Sequence, residues 1–295
     1  MTIQTIGDAI AISKLQYRGR EEHLLAKLDW WAQQLGPDRP FTSITADDID
    51  QGIGVLMTAP AMGYKRNVGV VSIGRPRTSG TINKYLAALG TMYKILRLNR
   101  HVPRSFQAPS MKGLRLPEEP GRTLQVTIAD VKRLVDAARL SRNRKLSALI
   151  AVACTTGLRR SSIQALTWGD VDLKARTIDV ARTKNGAPTR SVLPQWAATE
   201  LSRIKPDQPE KHWLVFDQRQ FKRAWAMTLE RADIPGSENW TFHHTRHIAA
   251  SILAQSGASL PVIMQALNHK TVSMAIRYSH VNTKALDQAV SNAWG

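Results

Sequence analysis

Apolar residues recur with a helical period through most of the first third of the chain. In REEHLLAKLDWWAQQLG the acids come early and Gly36 follows the last apolar turn, the order of a helix start and stop. In SITADDID, Thr45 is placed to cap a helix whose first turn is acidic. The stretch TINKYLAALGTMYKILRLNR puts Ile82, Tyr85, Leu86, Leu89, Tyr93 and Leu96 on one face and Lys84, Lys94 and Arg97 on the other. Before it, the Gly-rich, basic GYKRNVGVVSIGRPRTSG is either a short hairpin or a loop. From Val102 to Arg122 prolines replace any apolar period, which reads as an extended linker.

Beyond it, TIADVKRLVDAARL offers Thr127 as a cap and turns Val131, Leu134 and Val135 inward. A strongly apolar helix containing Cys154 ends near TTGLRR. Alternating apolar residues on both sides of Asn185-Gly186 predict a hairpin in TIDVARTKNGAPTRSVLP. Helices are expected from Phe221 to Ala232 and from His247 onward, and LNHKTVSMAIRYSH reads as a short helix ending on Tyr278, with His269 one loop earlier. The pattern gives a mainly α protein with a small antiparallel β-sheet. Its expected organisation is a helical domain over 1–103, a linker over 104–122 and a mixed α+β domain over 123–295.

The 295 residues include 41 Lys and Arg against 23 Asp and Glu, a formal net charge of +18. Such an excess repels itself unless the partner is polyanionic, so nucleic acid leads. A membrane surface is the rival, but no lysine block adjoins an apolar helix and the basic residues are spread along the chain. The single cysteine, Cys154, sits among apolar residues as a buried thiol and excludes a disulfide framework or a cysteine metal site. Its apolar run falls short of the ~20 residues that cross a bilayer. The N-terminus lacks the basic start and unbroken apolar run of a signal peptide, so a cytoplasmic location is expected.

Four separated stretches carry the candidate chemistry: Arg159 in TTGLRRSS, Lys184 in ARTKNG, His243 and Arg246 in FHHTRH, and His269 with Tyr278 in LNHKTVSMAIRYSH. In this order and setting they resemble the tyrosine recombinase, or phage integrase, family. The likeness covers the region from Arg122 onward, and the helical first domain resembles the family's core-binding domain more loosely. It implies a tyrosine recombinase catalytic domain and a two-domain clamp on duplex DNA. Subunits would form a homo-tetramer on two sites, with accessory DNA-bending or directionality factors admitted. The implied reaction cuts and rejoins strands through a 3′-phosphotyrosyl link and a Holliday junction, for integration or excision of a mobile element or for chromosome-dimer resolution. A topoisomerase-like enzyme, a DNA-binding protein without catalysis and a basic structural or membrane-surface protein are the competing classes.

Each implied role has a physical reason. Arg159 and Arg246 would stabilise charge on the nonbridging oxygens of a pentacoordinate phosphate. A phenol with an ordinary pKa near ~10 is about a thousandth ionised at neutral pH, so Tyr278 needs a partner. By resemblance His243 handles its proton, His269 donates to the phosphate, and Lys184 protonates the leaving 5′-oxygen. His247 reads as packing or support for these groups, His244 is unassigned, and Arg160 reads as a solvated neighbour. No cofactor or metal is expected, since no Walker loop, HExxH or paired-carboxylate motif is present and Asp170 and Asp172 look like turn residues. Lys65, Arg66, Arg75, Arg77 and Lys84 are candidate DNA contacts. The sequence departs from the family pattern at Ser162, where an acid is common, at Asn268 in place of glycine, and at His244-Thr245. Asparagine tolerates a left-handed turn, so the loop before His269 is expected to survive.

Overall fold

The computed structural model describes residues 3–19, 22–65, 69–118, 124–181, 188–205, 218–276, 278, 291 and 294. The chain divides into two compact units, residues 1–120 and 121–295. Each has its own buried core.

In the first unit, helices α1 (Ile6–Gln16), α2 (Glu22–Leu35), α3 (Ala46–Thr58) and α4 (Ser79–Leu98) enclose Leu28, Trp31, Ile49, Leu56, Leu89 and Met92. Capping boxes start α1 at Thr5 with Asp8 and α3 at Thr45 with Asp48, so the orphan N–H groups of both helices are met by side chains. The α4 face expected from the sequence is buried at Ile82, Leu86, Leu89, Tyr93 and Leu96. Trp31 ties it to α2 by donating from Nε1 to the Tyr85 carbonyl at 2.9 Å. The basic segment ahead of α4 is a hairpin: β1 (Pro60–Lys65) pairs antiparallel with β2 (Gly69–Pro76).

Part of the expected linker packs on this first core, through Val102, Phe106, Met111, Leu114 and Leu116. No helical period marks these residues because the segment is extended. Asn83 holds it by donating to the Leu116 carbonyl at 2.9 Å and accepting from the Leu116 N–H at 2.9 Å. A side-chain amide thus satisfies backbone groups that no ladder reaches.

The second unit is built around α6 (Leu146–Thr156), which is buried on all sides, as its uniform apolarity requires. Packed about it are α5 (Ile128–Arg139), α8 (Gln195–Ser202) and α10 (His244–Gln255). Burial pushes the Cys154 thiol well above its ordinary pKa, so it is inert at neutral pH. After the short α7 (Arg160–Gln164), strands β3 (Val171–Asp172), β4 (Thr177–Val180) and β5 (Thr189–Val192) form an antiparallel sheet in that order. Asp170 completes a capping box with Thr167, and Asp172 accepts from the Ala175 N–H, so both serve turns. Beyond α9 (Gln218–Ala232), a smaller core of Ala249, Ala250, Ile263, Leu267, Ala275 and Tyr278 joins α10 to α11 (Leu260–Leu267) and α12 (Val272–Ala275). No described helix is long and apolar enough to cross a membrane.

Candidate active site

The site forms where α6 stops. Gly157 ends that helix in the left-handed region, at φ +62°, and a Cβ there would collide with Leu267 and stand 3.2 Å from the Ala249 Cβ. Glycine therefore lets the end of α6 press against α10 and α11. Two residues on, Arg159 caps α7 in an extended conformation. From α10, Arg246 reaches the same place: it donates to the Gly157 carbonyl at 2.7 Å and to the Leu267 carbonyl. One buried guanidinium thus ties the ends of α6 and α11 together.

Arg246 is only 6% exposed, and its pKa is lowered to about 10, first by burial and then by the charge of Arg159, with Tyr278 acting in the opposite sense. It stays charged at neutral pH. Being held that low corresponds to roughly 3 kcal/mol against the charged form. Among the described residues no carboxylate pairs with Arg159 or Arg246, although Arg39, Arg139 and Arg190 elsewhere all do. Two guanidinium groups are left close together, and no carboxylate among the described residues balances them.

The imidazoles surround this pair. His243 precedes α10, and its pKa is lowered by burial first, then by Arg246, His244 and Arg159, so at neutral pH it is an uncharged proton acceptor. Its ring meets that of His247 edge-on with centroids 5.3 Å apart. Nδ1 of His247 lies 2.6 Å from the hydroxyl of Tyr278, which is buried at 4% exposure. The neighbouring His244 is a brace: its Nδ1 accepts from the Thr241 N–H at 2.9 Å, and its ring stacks on Trp240. Asn268 closes α11 at φ +49° in the left-handed region, as expected of a glycine substitute. His269 follows it, with its N–H donating to the Met264 carbonyl at 2.8 Å.

His269 also lines a cavity of about 330 Å³ with Asn268, Met264 and Gln265 on one side and Pro188, Thr189 and Arg190 of the hairpin on the other. The hairpin therefore borders the site, but Lys184 lies outside the described residues. Arg66 does too, and the Lys65 side chain is not described. Arg75 and Lys84 are exposed. Arg77 instead donates to the Ala59 carbonyl at 3.0 Å and braces the foot of the hairpin. Ser162 is buried in α7, and Arg160 lies over the Phe221 ring at 5.3 Å.

Sequence reasoning gave His247 packing or support for the reacting groups, without naming Tyr278 as the group its ring touches. His247 follows Arg246 directly, which suggests packing, but it stands four residues after His243 and hence on the same helix face.

In fold, the chain is similar to the solved Tn1549 transposon integrase in complex with transposon right end DNA, with a TM-score of 0.69 at 15% identity over 99% of this chain and 100% of that one. XerH recombinase bound to difH gives 0.65 at 14% identity, over 91% and 78%. These likenesses establish the fold, and the family follows from the sequence itself. The phage integrase family pattern matches residues 125–285, more than half of the chain, and the chain belongs to that family. Among sequence relatives, the shufflon-specific DNA recombinase of Escherichia coli is 28% identical over 211 residues, 70% of this chain and 53% of that one. Tyrosine recombinase XerC of Corynebacterium efficiens is 28% identical over 163 residues, 51% of each. The chain spans about half the length of the curated relatives it matches first.

Proposed function

We propose that this chain is a site-specific DNA recombinase that breaks and rejoins strands through a covalent 3′-phosphotyrosyl link to Tyr278. The observation that carries this reading is the pair of guanidinium groups, Arg159 and Arg246, beside the buried phenol and without a carboxylate partner among the described residues. A phosphodiester supplies the missing negative charge, and its transition state concentrates more of it.

The phenol oxygen of Tyr278 attacks phosphorus, a P–O bond to tyrosine forms, and the bond to the 5′-oxygen breaks. His247 holds the hydroxyl, and the histidine pair takes up its proton, His243 being neutral at working pH. Lys184 returns a proton to the leaving 5′-oxygen, and His269 donates to a nonbridging oxygen. The link conserves the energy of the phosphodiester, so a free 5′-hydroxyl reverses the attack and reseals a strand. Neither a cofactor nor a metal enters these steps.

The proposed substrate is double-stranded DNA at a specific site, engaged by the first unit, residues 1–103 of the expected organisation, and the catalytic unit beyond the 104–122 linker. A homo-tetramer in the cytoplasm would exchange strands through a Holliday junction to integrate or excise a mobile element. Incubation of two differently labelled duplexes tests this. Recombinant duplexes and four-way junctions are the expected products, whereas plasmid relaxation without recombinants would assign the chain a topoisomerase reaction instead.

A further inference from the structure

The charge of this chain is not uniform. Between Asp50 and Glu118 the sequence has no Asp or Glu but eleven Lys and Arg, so the acids, rather than the bases, are unevenly placed. The β1–β2 hairpin stands near the start of this tract. Met62 pairs with Ser72, which puts their side chains on one face, and the next residue, Ile73, lies on the other. Both apolar side chains are open to solvent, Met62 at 50% and Ile73 at 43%. Ser72, Gly74, Arg75 and Pro76 are exposed as well. None of its described side chains is fully buried, and a two-stranded ribbon without a core is marginal in water by itself.

Its foot is nevertheless fixed, because Arg77 donates to the Ala59 carbonyl across the base of the two strands. Gly63 leaves room for the Ile73 side chain against its Cα, so the ribbon stays thin. A thin, basic, two-stranded ribbon matches the width of the DNA major groove, whose phosphate walls supply the opposite charge and whose thymine methyl groups supply apolar contacts. We infer that the β1–β2 hairpin enters a groove of the bound duplex, with Arg75 at the phosphates and one of its two faces, carrying Met62 or Ile73, against base edges. This rests on the reading that duplex DNA is the substrate, and it assigns the ribbon to sequence discrimination, separate from the catalytic groups.

Photo-cross-linking tests it on the full chain. Ile73→p-benzoylphenylalanine and Met62→p-benzoylphenylalanine variants are irradiated with a labelled 40-base-pair duplex, of roughly four helical turns, and retention of that duplex is measured in the same samples. The expected result is a protein–DNA cross-link at bases from one of the two positions, since their faces are opposite, together with a DNA salt-dependence slope that falls by about one in Arg75→Ala. Retained duplex without a cross-link from either position, or cross-links joining two protein chains, would overturn the ribbon's assignment and leave the recombinase reading standing. Loss of duplex retention in the unsubstituted chain would sink both.

Discussion

Arg246→Ala is expected to reduce strand cleavage by about 10²-fold to 10³-fold while changing stability only modestly. The guanidinium is one of two donors aimed at the proposed phosphate, and removing one such donor costs about 3–4 kcal/mol of transition-state stabilisation. Its effect on the fold is a balance. The substitution leaves the buried Gly157 and Leu267 carbonyls without their donor, at about 1–3 kcal/mol each. It also relieves the roughly 3 kcal/mol that burial and the Arg159 charge impose on the cation. Thermal melts beside single-turnover cleavage separate the two effects. Arg246→Lys keeps the charge but loses the planar fork, so it is expected to recover little activity. Cleavage by Arg246→Ala within tenfold of the native rate would remove this residue from the phosphate clamp.

The second large effect is expected from Gly157→Ala. A side chain at φ +62° costs about 1–2 kcal/mol in the backbone alone. The new methyl group also collides with Leu267 and crowds Ala249, which adds about 1–3 kcal/mol of overpacking. The carbonyl that orients Arg246 belongs to this residue, and Arg159 follows two positions later, so cleavage should fall with stability. Gly236→Ala in the same unit is the control. Gly236 has φ +78° but open space around its missing Cβ, so only the backbone cost is expected there. Equal destabilisation by the two variants would mean that the packing of α6 against α10 and α11 is not what requires glycine.

Local signals carried much of the fold. Thr45 and Thr127 were legible as caps because a capping box is written within four consecutive residues, and both form. The α4 face and the buried α6 followed from period and apolarity. The ribbon was not decidable between hairpin and loop, since none of its described side chains is fully buried and no alternation is imposed on its sequence. Phe106 to Leu116 read as pure linker because an extended segment buries residues at irregular spacing, and its anchor, Asn83, lies far away in the sequence.

At the site, the structure brings Arg159, His243, Arg246 and Tyr278 together, and sets His269 beside the hairpin. The link between His247 and Tyr278 spans the rest of α10, then α11 and α12, so spacing along the chain does not reveal it. Arg77 shows the converse. A basic residue in a basic segment suggests phosphate, yet its guanidinium is engaged by a backbone carbonyl.

Covalent capture tests the nucleophile most directly. A randomised library of nicked suicide duplexes is incubated with the native chain, trapped adducts are isolated, and the DNA-bearing peptide is sequenced by mass spectrometry. The predicted result is a phosphotyrosyl bond at Tyr278 through a 3′-phosphate, formed by the native chain and absent in Tyr278→Phe, which still retains DNA. An adduct at another residue, or one that persists undiminished in Tyr278→Phe, would contradict it.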